Sequence, residues 1–587
     1  MSRAIGRLGG AGALATLLLH AAPAGADGGT WQNWTAQEQA TFYTTDQGSR
    51  IIPMAWFQAL DKADGSGRFA ADGLARFGYI QQAKPAGSPF ALPVGFLVAK
   101  DTAAVYGQRE NLSMTCAACH TREIRVAGKA VRIDGGPALA DFHGFLTELD
   151  AAVRAILLTG GDFDGFAKRV LGAGHGPAAT ARLKTDVVDW YANYGWFMKA
   201  ALPDRSWGPA RLDAFGMIFN RVSGLDLDIP DNVHKADAPV RYPFLWNASR
   251  QDMTQWTGTV PNGLFTLAIG RNLGEVYGVF GRFAPARNRL GWVNFVGAAN
   301  SAKFHNLMTL EKLVSKLTPP PYPLPIDQAL ATRGQAIFVS AKCDSCHGAR
   351  TGALPRTWAT QATAERTDPR MFDNARGTVG AVGALDGVSM PQGLLFGRLS
   401  AGAARMEVLK AAVGNTLLQE FAVPGWPPNG VREAVLTDLG DLARPAAGGA
   451  NFVQDKVQSL YKTPNPADRG GAAYEARVLQ GIWAAAPYLH NGSVPNLWEL
   501  LQKPENRKTR FMVGSPQFDP VNVGLATDTS PTGFTYAVSS CAPPDNGNGN
   551  CGHAWGTDLT DDEKWALIEY LKTPRAGLDN PGDDGGG

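Results

Sequence analysis

The chain has 587 residues, a length that predicts roughly two to four domains. Hydrophobic residues make up 44% and charged residues 18%, which is the composition of a globular chain and excludes a disordered or fibrous protein. The formal net charge is +2 and no Lys- or Arg-rich run stands out, so the sequence gives no support for nucleic-acid binding.

The first 26 residues have the pattern of a secretory signal peptide. Arg3 and Arg7 form a positive region, an apolar stretch rich in Leu and Ala follows, and Ala24-Gly25-Ala26 is a small-residue cleavage site. The apolar stretch is too short to span a bilayer comfortably, and no later run reaches about 18 apolar residues. We predict a signal peptide over residues 1–26, with a short uncleaved anchor as the alternative. The mature protein would be periplasmic or secreted, without a transmembrane segment.

Four of the six cysteines occur in two copies of one motif. Cys116-Ala-Ala-Cys119-His120 and Cys343-Asp-Ser-Cys346-His347 both match C-x-x-C-H, the attachment signature of a c-type haem. The two thiols add across the haem vinyl groups, and the next residue presents an imidazole to the iron. Paired zinc sites or thioredoxin-like motifs are the alternatives. We predict two covalently bound haems c, attached at Cys116, Cys119, Cys343 and Cys346 and ligated by His120 and His347.

The first half of the chain is expected to be irregular. Helix-like stretches surround Ala151–Leu158 and Val187–Ala200, and Gly- and Pro-rich connections are frequent. The segment Leu317–Ile326 contains five prolines and predicts an extended linker. We therefore predict an N-terminal haem domain over residues 27–316 and a linker over 317–326.

The second half has clearer helix signals. A helical pattern over Ala331–Ser340 leads into Cys343, and Leu559–Lys572 predicts a terminal helix with Thr560 as N-cap and Glu563 three residues later. A helix before the haem motif and a helix at the end resemble a cytochrome c domain, here over 327–575, with a disordered tail over 576–587. The predicted fold class is mainly α, with two cytochrome c-like haem domains, long loops and irregular insertions.

Two further histidines are candidates near the second haem. Cys541 and Cys551 should form a disulfide around a Pro/Gly/Asn-rich loop, and His553 follows two residues later. Cytochrome c domains place their sixth ligand just ahead of the terminal helix, so we predict His553 as the distal iron ligand, with a surface histidine as the alternative. His490 ends an apolar run, which predicts a buried histidine that supports the second haem or, as the alternative, ligates it directly.

These motifs resemble the bacterial dihaem cytochrome c peroxidase superfamily, which includes the enzyme that matures methylamine dehydrogenase and the dihaem rubber oxygenases. Pro487-Tyr-Leu-His490-Asn-Gly-Ser-Val-Pro495 and the terminal helix carry the resemblance, and two middle segments agree with it. Gln255-Trp256-Thr-Gly258 is similar to the stretch with a Trp between the haems. Asn272-Leu-Gly-Glu275 is similar to the stretch with an acidic residue over the active haem. The resemblance implies that Trp256 passes electrons between haems and that Glu275 is the acid–base residue over the first iron.

The function that this resemblance implies is a redox enzyme. The first haem would reduce peroxide or activate dioxygen, and the second would store or relay an electron from a small redox partner. Chain length and a His rather than a Met at 553 favour the rubber-oxygenase branch, which would add an apolar polyene as substrate. Glu275 favours peroxide chemistry. A plain electron-transfer cytochrome and a protein-modifying enzyme are the remaining alternatives.

Overall fold

The structure is a computed structural model that describes residues 31–83, 91–352, 357–364, 367–390, 397–422, 438 and 473–578. The predicted signal peptide and residues 579–587 of the predicted tail lie outside these ranges. Ala576 and Gly577, at the start of that tail, are packed against the protein: Ala576 is fully buried, and the Gly577 amide lies 3.0 Å from the Tyr570 hydroxyl.

Helices are distributed along the whole described chain. They are α1 (Ala36–Thr44), α2 (Met54–Ala59), α3 (Phe142–Leu157), α4 (Phe163–Leu171), α5 (Pro177–Ala201), α6 (Ala214–Phe219), α7 (Phe265–Gly278), α8 (Phe304–Lys316), α9 (Gln328–Ser340), α10 (Asp344–His347), α11 (Arg370–Arg376), α12 (Arg405–Ala422), α13 (Leu497–Leu500) and α14 (Asp561–Leu571). The predicted helical stretches coincide with parts of α3, α5 and α9 and with α14, although Leu158 and the ends of Leu559–Lys572 lie just outside the helices. Within the described ranges, no helix is both long and apolar enough to cross a membrane.

Strands occur mostly as short antiparallel pairs. They are β1 (Ile52–Pro53), β2 (Phe96–Val105), β3 (Gln108–Met114), β4 (Thr121–Val126), β5 (Lys129–Asp134), β6 (Arg211–Leu212), β7 (Val240–Arg241), β8 (Met253–Thr254), β9 (Val260–Pro261), β10 (Ala286–Arg287), β11 (Val293–Asn294), β12 (Gln361–Ala364), β13 (Ala473–Ala476), β14 (Arg510–Met512), β15 (Phe518–Asp519), β16 (Gly524–Leu525) and β17 (Thr535–Ala537). β1, β3 and β2 form a three-stranded sheet, and two-stranded pairs include β4–β5, β6–β7 and β12–β13.

The predicted mainly α class is wrong. Helical residues make up 40% and strand residues 16% of the structure, so the fold is mixed. Much of the strand content lies in two hairpins, β2–β3 and β4–β5, that flank Cys116–His120. Their turns are Tyr106-Gly107 and Ala127-Gly128, and all four residues have positive φ, as a two-residue hairpin turn with the right twist requires. Neither turn contains the Asn or Asp that is typical of such turns, so the sequence gives only a weak hairpin signal here.

The C-terminal half is organised around the packing of α9 against α14. Thr560 and Glu563 form the predicted capping box at the start of α14, which confirms that helix and its N-terminus. A side chain at Gly334 of α9 would overlap the backbone of Ala566 in α14, so the two helices approach at their closest through this glycine. This contact fixes the direction in which the chain leaves α9 and enters the second haem motif.

The buried apolar residues form three large clusters. One lies within the first part of the chain around α2–α5, and another joins α7, α8 and α12. The cluster between them combines residues of the first 140 positions, such as Trp34 and Phe42, with residues of the last third, such as Trp483 and Tyr570. Both haem motifs therefore border one continuous core, while the predicted domain boundaries remain predictions.

Candidate haem-binding sites

The N-terminal site (Cys116, Cys119 and His120) lies in the turn between the two hairpins. Cys116–Ala118 form one turn of 3-10 helix, and the Thr115 hydroxyl accepts a hydrogen bond from the Ala117 amide at 3.2 Å. The His120 amide donates to the Cys116 carbonyl at 2.9 Å. Gly95, with a φ of +81°, lies against the backbone of Ala118, and a Cβ there would overlap it. The turn is thus fixed by backbone contacts on both sides.

His120 is oriented by a carbonyl from a distant part of the chain. Its Nδ1 lies 3.0 Å from the Pro243 oxygen, a contact that leaves Nε2 available for a metal. Burial lowers the pKa of His120 to about 4, so the imidazole is neutral at pH 7, as metal ligation requires. His120 as a residue is only partly buried.

A partly buried carboxyl group accompanies the N-terminal site. Glu275 of α7 accepts a hydrogen bond from Gln255 Nε2 at 2.7 Å, and burial raises the pKa of this carboxyl. Burial, with a contribution from the carboxylates of Glu311 and Glu275, raises the pKa of Cys116 to about 12. Glu275 also acts on the pKa of Cys119. Glu275 therefore lies close enough to act on both motif thiols, and its role over the first iron stays a prediction.

The C-terminal site (Cys343, Cys346 and His347) is carried by helices. Cys343 is the N-cap of the single-turn helix α10, and the His347 amide donates to the Cys343 carbonyl at 2.9 Å. His347 Nδ1 lies 2.7 Å from the Arg477 oxygen, and burial lowers the pKa of the ring. The two proximal histidines are thus oriented in the same way, each by a backbone carbonyl. All four motif cysteines are free of disulfide bonds.

His553 faces His347, with 6.2 Å between the ring centroids. Two imidazoles bound to one iron through bonds of about 2 Å, a length typical of metal–imidazole bonds, would have ring centres roughly 6 Å apart. Burial lowers the pKa of His553 to about 3. Its Nδ1 is buried and has no hydrogen-bond partner within the described residues, which is unfavourable unless the ring meets another group.

The backbone of His553 is held in a strained conformation. Its φ is +58°, which is uncommon outside glycine. The Arg507 guanidinium donates to the carbonyl oxygens of Asn550, Gly552 and His553 at 2.6 to 2.7 Å. The predicted disulfide between Cys541 and Cys551 is present, which confirms that pairing. These contacts fix the segment that presents His553.

A cavity of about 210 Å³ lies at the C-terminal site. Cys343, Cys346, His347 and His553 line it, with apolar side chains such as Phe338, Leu497 and Leu567. His490 and Trp256 line the same cavity. His490 stacks on Tyr474 with 3.7 Å between ring centroids, and burial lowers its pKa to about 3. His490 therefore lies in the cavity of the second motif, without a side-chain hydrogen bond to any described residue.

Two short segments join the sites. Gln255 contacts Glu275 beside the N-terminal site, and the next residue, Trp256, lines the C-terminal cavity. Pro243 accepts the hydrogen bond of His120, and the carbonyl of the next residue, Phe244, accepts one from Arg477 Nη1 at 2.6 Å. Trp256 thus connects the Gln255–Glu275 contact to the wall of the C-terminal cavity, and its role in electron transfer stays a prediction.

Sequence reasoning missed the arginines that organise these sites. Arg477 orients His347 through its carbonyl, Arg507 fixes the His553 segment, and Arg241 lines the C-terminal cavity. The sequence contains only a weak indication of Arg477: it and Glu475 are charged residues shortly before the apolar run that ends at His490. In the sequence, Gln255 stands out only as the neighbour of Trp256.

The residues present fit haem c at both sites. Each motif offers two thiols free of disulfide bonds and a neutral imidazole oriented by a backbone carbonyl. The C-terminal site adds a cavity and a second imidazole at the spacing of a shared iron. Among the described residues, no group of three or more His, Cys, Asp or Glu side chains has the arrangement of a separate metal-ion site.

Comparisons with known proteins agree with this assignment. Residues 473–512, which include Arg477 and His490, match the family described as "RoxA-like, cytochrome c-like". The match covers one cytochrome c-like region, so the prediction of two cytochrome c-like domains is wrong on this point. The chain is 30% identical to the uncharacterized protein y4iJ of Sinorhizobium fredii, with 93% of each chain aligned. It is 25% identical to the uncharacterized protein y4iM of the same organism, over 56% of this chain and 63% of y4iM. The chain therefore belongs to the family of y4iJ, and its RoxA-like, cytochrome c-like region identifies it as a haem-containing redox protein.

Proposed function

We propose that the protein is an exported dihaem c-type cytochrome enzyme that reduces peroxide or activates dioxygen. One haem would be attached at the N-terminal site and serve as the reaction site. The other would be attached at the C-terminal site and exchange electrons with a small redox partner. Haem iron supplies the redox chemistry when bound, and its axial surroundings decide between electron transfer and reaction with an oxidant.

The observation that carries this proposal is the difference between the two axial surroundings. At the C-terminal site His553 faces the proximal histidine at a distance suited to a shared iron, which favours a six-coordinate, electron-storing centre. At the N-terminal site the polar groups that act on the motif cysteines include the carboxyl of Glu275. A carboxyl is a weak iron ligand but a suitable proton donor, so this site is equipped for chemistry.

The side chains at the N-terminal site have separate roles in this proposal. Glu275 is the candidate proton donor at this site, because burial raises its pKa and so favours the protonated carboxyl. Gln255 Nε2 donates to Glu275 and orients the carboxyl. Trp256, covalently next to Gln255, lies at the wall of the C-terminal cavity and connects the two sites.

The proposal is tested by optical and EPR spectra of the purified protein before and after addition of peroxide or dioxygen. We expect one low-spin signal that neither oxidant changes, and a second signal that one of them changes. The oxidant that acts separates a peroxidase from a dioxygenase. Two unreactive low-spin haems would overturn the proposal in favour of an electron-transfer cytochrome.

Glu275→Gln separates peroxide chemistry from dioxygen chemistry. It keeps the hydrogen-bonding shape but removes the proton, so the rate with peroxide should fall by about 10²–10⁴-fold. The wild-type rate should fall as pH rises through the raised pKa of Glu275, because the protonated form is lost. An unchanged rate with dioxygen would favour the alternative, a rubber-oxygenase-like enzyme that cleaves an apolar polyene, in which protonation matters less.

A further inference from the structure

Arg241 is a buried cation that lacks an acceptor for most of its hydrogen-bond donors. It is 5% exposed and lines the cavity of the C-terminal site. Its Nε donates to the Leu489 carbonyl at 3.1 Å. Neither terminal nitrogen has an acceptor among the described residues, and Nη1 is fully enclosed. Leaving such a group unpaired in a protein interior is strongly unfavourable.

The charges around Arg241 do not compensate it. The charged groups that act on it include the guanidinium groups of Arg477 and Arg122 and the carboxylate of Glu475. Arg477 Nε already occupies one oxygen of Glu475 at 2.8 Å. His490, which faces the same cavity, is neutral because burial lowers its pKa. This region therefore holds three buried cations against one anion, so an anionic group would compensate Arg241.

The guanidinium of Arg241 is also held in place. The Arg241 amide donates to the His490 carbonyl at 2.9 Å, and the Trp256 indole donates to the Arg241 carbonyl at 3.0 Å. The guanidinium lies 4.5 Å from the centre of the Trp256 ring. An arginine stacked on an aromatic ring is preorganised to bind a planar anion in two-point fashion.

We propose that Arg241 binds a propionate carboxylate of the haem in the C-terminal cavity. The inference rests on the proposed function, because it requires a haem at that site. The inference also specifies which edge of the haem faces Arg241, which the C-x-x-C-H motif alone does not determine. The propionate edge of the haem faces the wall formed by Arg241 and Trp256, on the side from which the chain continues through Gln255 to Glu275.

The test compares Arg241→Gln and Arg241→Lys in the full-length, haem-loaded protein. Spectroelectrochemical titration follows the midpoint potential of the low-spin haem, and resonance Raman spectra follow the propionate bending band. Arg241→Gln should lower the potential, because a nearby positive charge favours the reduced iron, and should shift the band to that of a propionate without this partner. Arg241→Lys keeps the charge but loses the two-point contact, so it should shift the band with a smaller change in potential.

Arg405→Gln is the matched control. Arg405 is also a buried arginine with an unpartnered nitrogen, but it lies on α12, outside the lining of the cavity. It should leave both readouts at their wild-type values. A haem-loaded Arg241→Gln variant with wild-type potential and band would overturn the inference. If that variant does not accumulate, an unshifted band in Arg241→Lys overturns it. Absence of covalent haem at Cys343 and Cys346 in the wild-type protein would instead overturn the proposed function itself.

Discussion

The two candidate haem sites share a five-residue motif but differ in the secondary structure and the side chains that surround it. The N-terminal motif is a tight turn between two β-hairpins, with the partly buried Glu275 nearby. The C-terminal motif lies on helices, with a facing histidine and a cavity of about 210 Å³. In both, a backbone carbonyl orients the proximal imidazole. The motif itself supplies the thiols and the first histidine of each candidate site. Residues from distant parts of the chain supply the groups by which the two sites differ.

The largest expected effect comes from removing one pair of thiols. The double variant Cys116→Ser/Cys119→Ser should lose one covalent haem and the signal that responds to oxidant. Cys343→Ser/Cys346→Ser should lose the other haem and the unreactive low-spin signal. Mass spectrometry of the denatured protein counts the haems, because thioether bonds survive denaturation.

The double variant Cys541→Ser/Cys551→Ser controls for the loss of cysteines as such. These residues form a disulfide rather than a haem attachment, so this variant should keep two haems. It should still lose about 2–3 kcal/mol of stability, the amount expected for a loop of this size. A wild-type protein that carries a single covalent haem would contradict the assignment of a haem to each of the two sites.

A smaller and more local effect is expected from His553→Ala. The variant should convert the low-spin haem of the C-terminal site to a high-spin or water-ligated form, and added imidazole should restore the low-spin spectrum. The spectrum of the N-terminal site should not change. EPR distinguishes the two spin states directly.

His490→Ala is the matched control, because His490 lines the same cavity and was the alternative ligand. It should leave the low-spin signal in place. Loss of that signal in His490→Ala, with its retention in His553→Ala, would exchange the roles of the two histidines.

The predictable parts of this protein are those encoded locally. The terminal helix follows from Thr560 and Glu563, and the haem motifs and the disulfide follow from cysteine spacing. The hairpins around the first motif were missed for physical reasons. In β4 the alternate residues Arg122, Ile124 and Val126 are buried. Because the first of them is charged, the sequence does not show the alternation of apolar and polar residues that indicates a half-buried strand.

The arginines and glutamine of the sites could not be predicted because their partners are remote in sequence. Arg477 contacts Phe244, which is 233 residues away, and Gln255 contacts Glu275 only because α7 folds back. A further regularity became visible only in the structure. Gln255, Leu489 and His553 all have positive φ, and each is, or directly precedes, a predicted site residue. Such strain persists where tertiary contacts hold it, and it commonly marks functional positions.

The smallest expected effect tests whether the two sites are independent. The Arg477 carbonyl orients His347, while its guanidinium donates to Phe244, the residue after the Pro243 that orients His120. Arg477→Gln should cost about 1–3 kcal/mol, because it leaves buried acceptors unsatisfied. It should also shift the iron–histidine vibrations of both haems.

Arg507→Gln removes an arginine that holds the His553 segment, so it should alter the C-terminal haem alone. Resonance Raman spectra of the reduced variants resolve the two cases. A change at one haem alone in Arg477→Gln would show that the two proximal histidines are oriented independently.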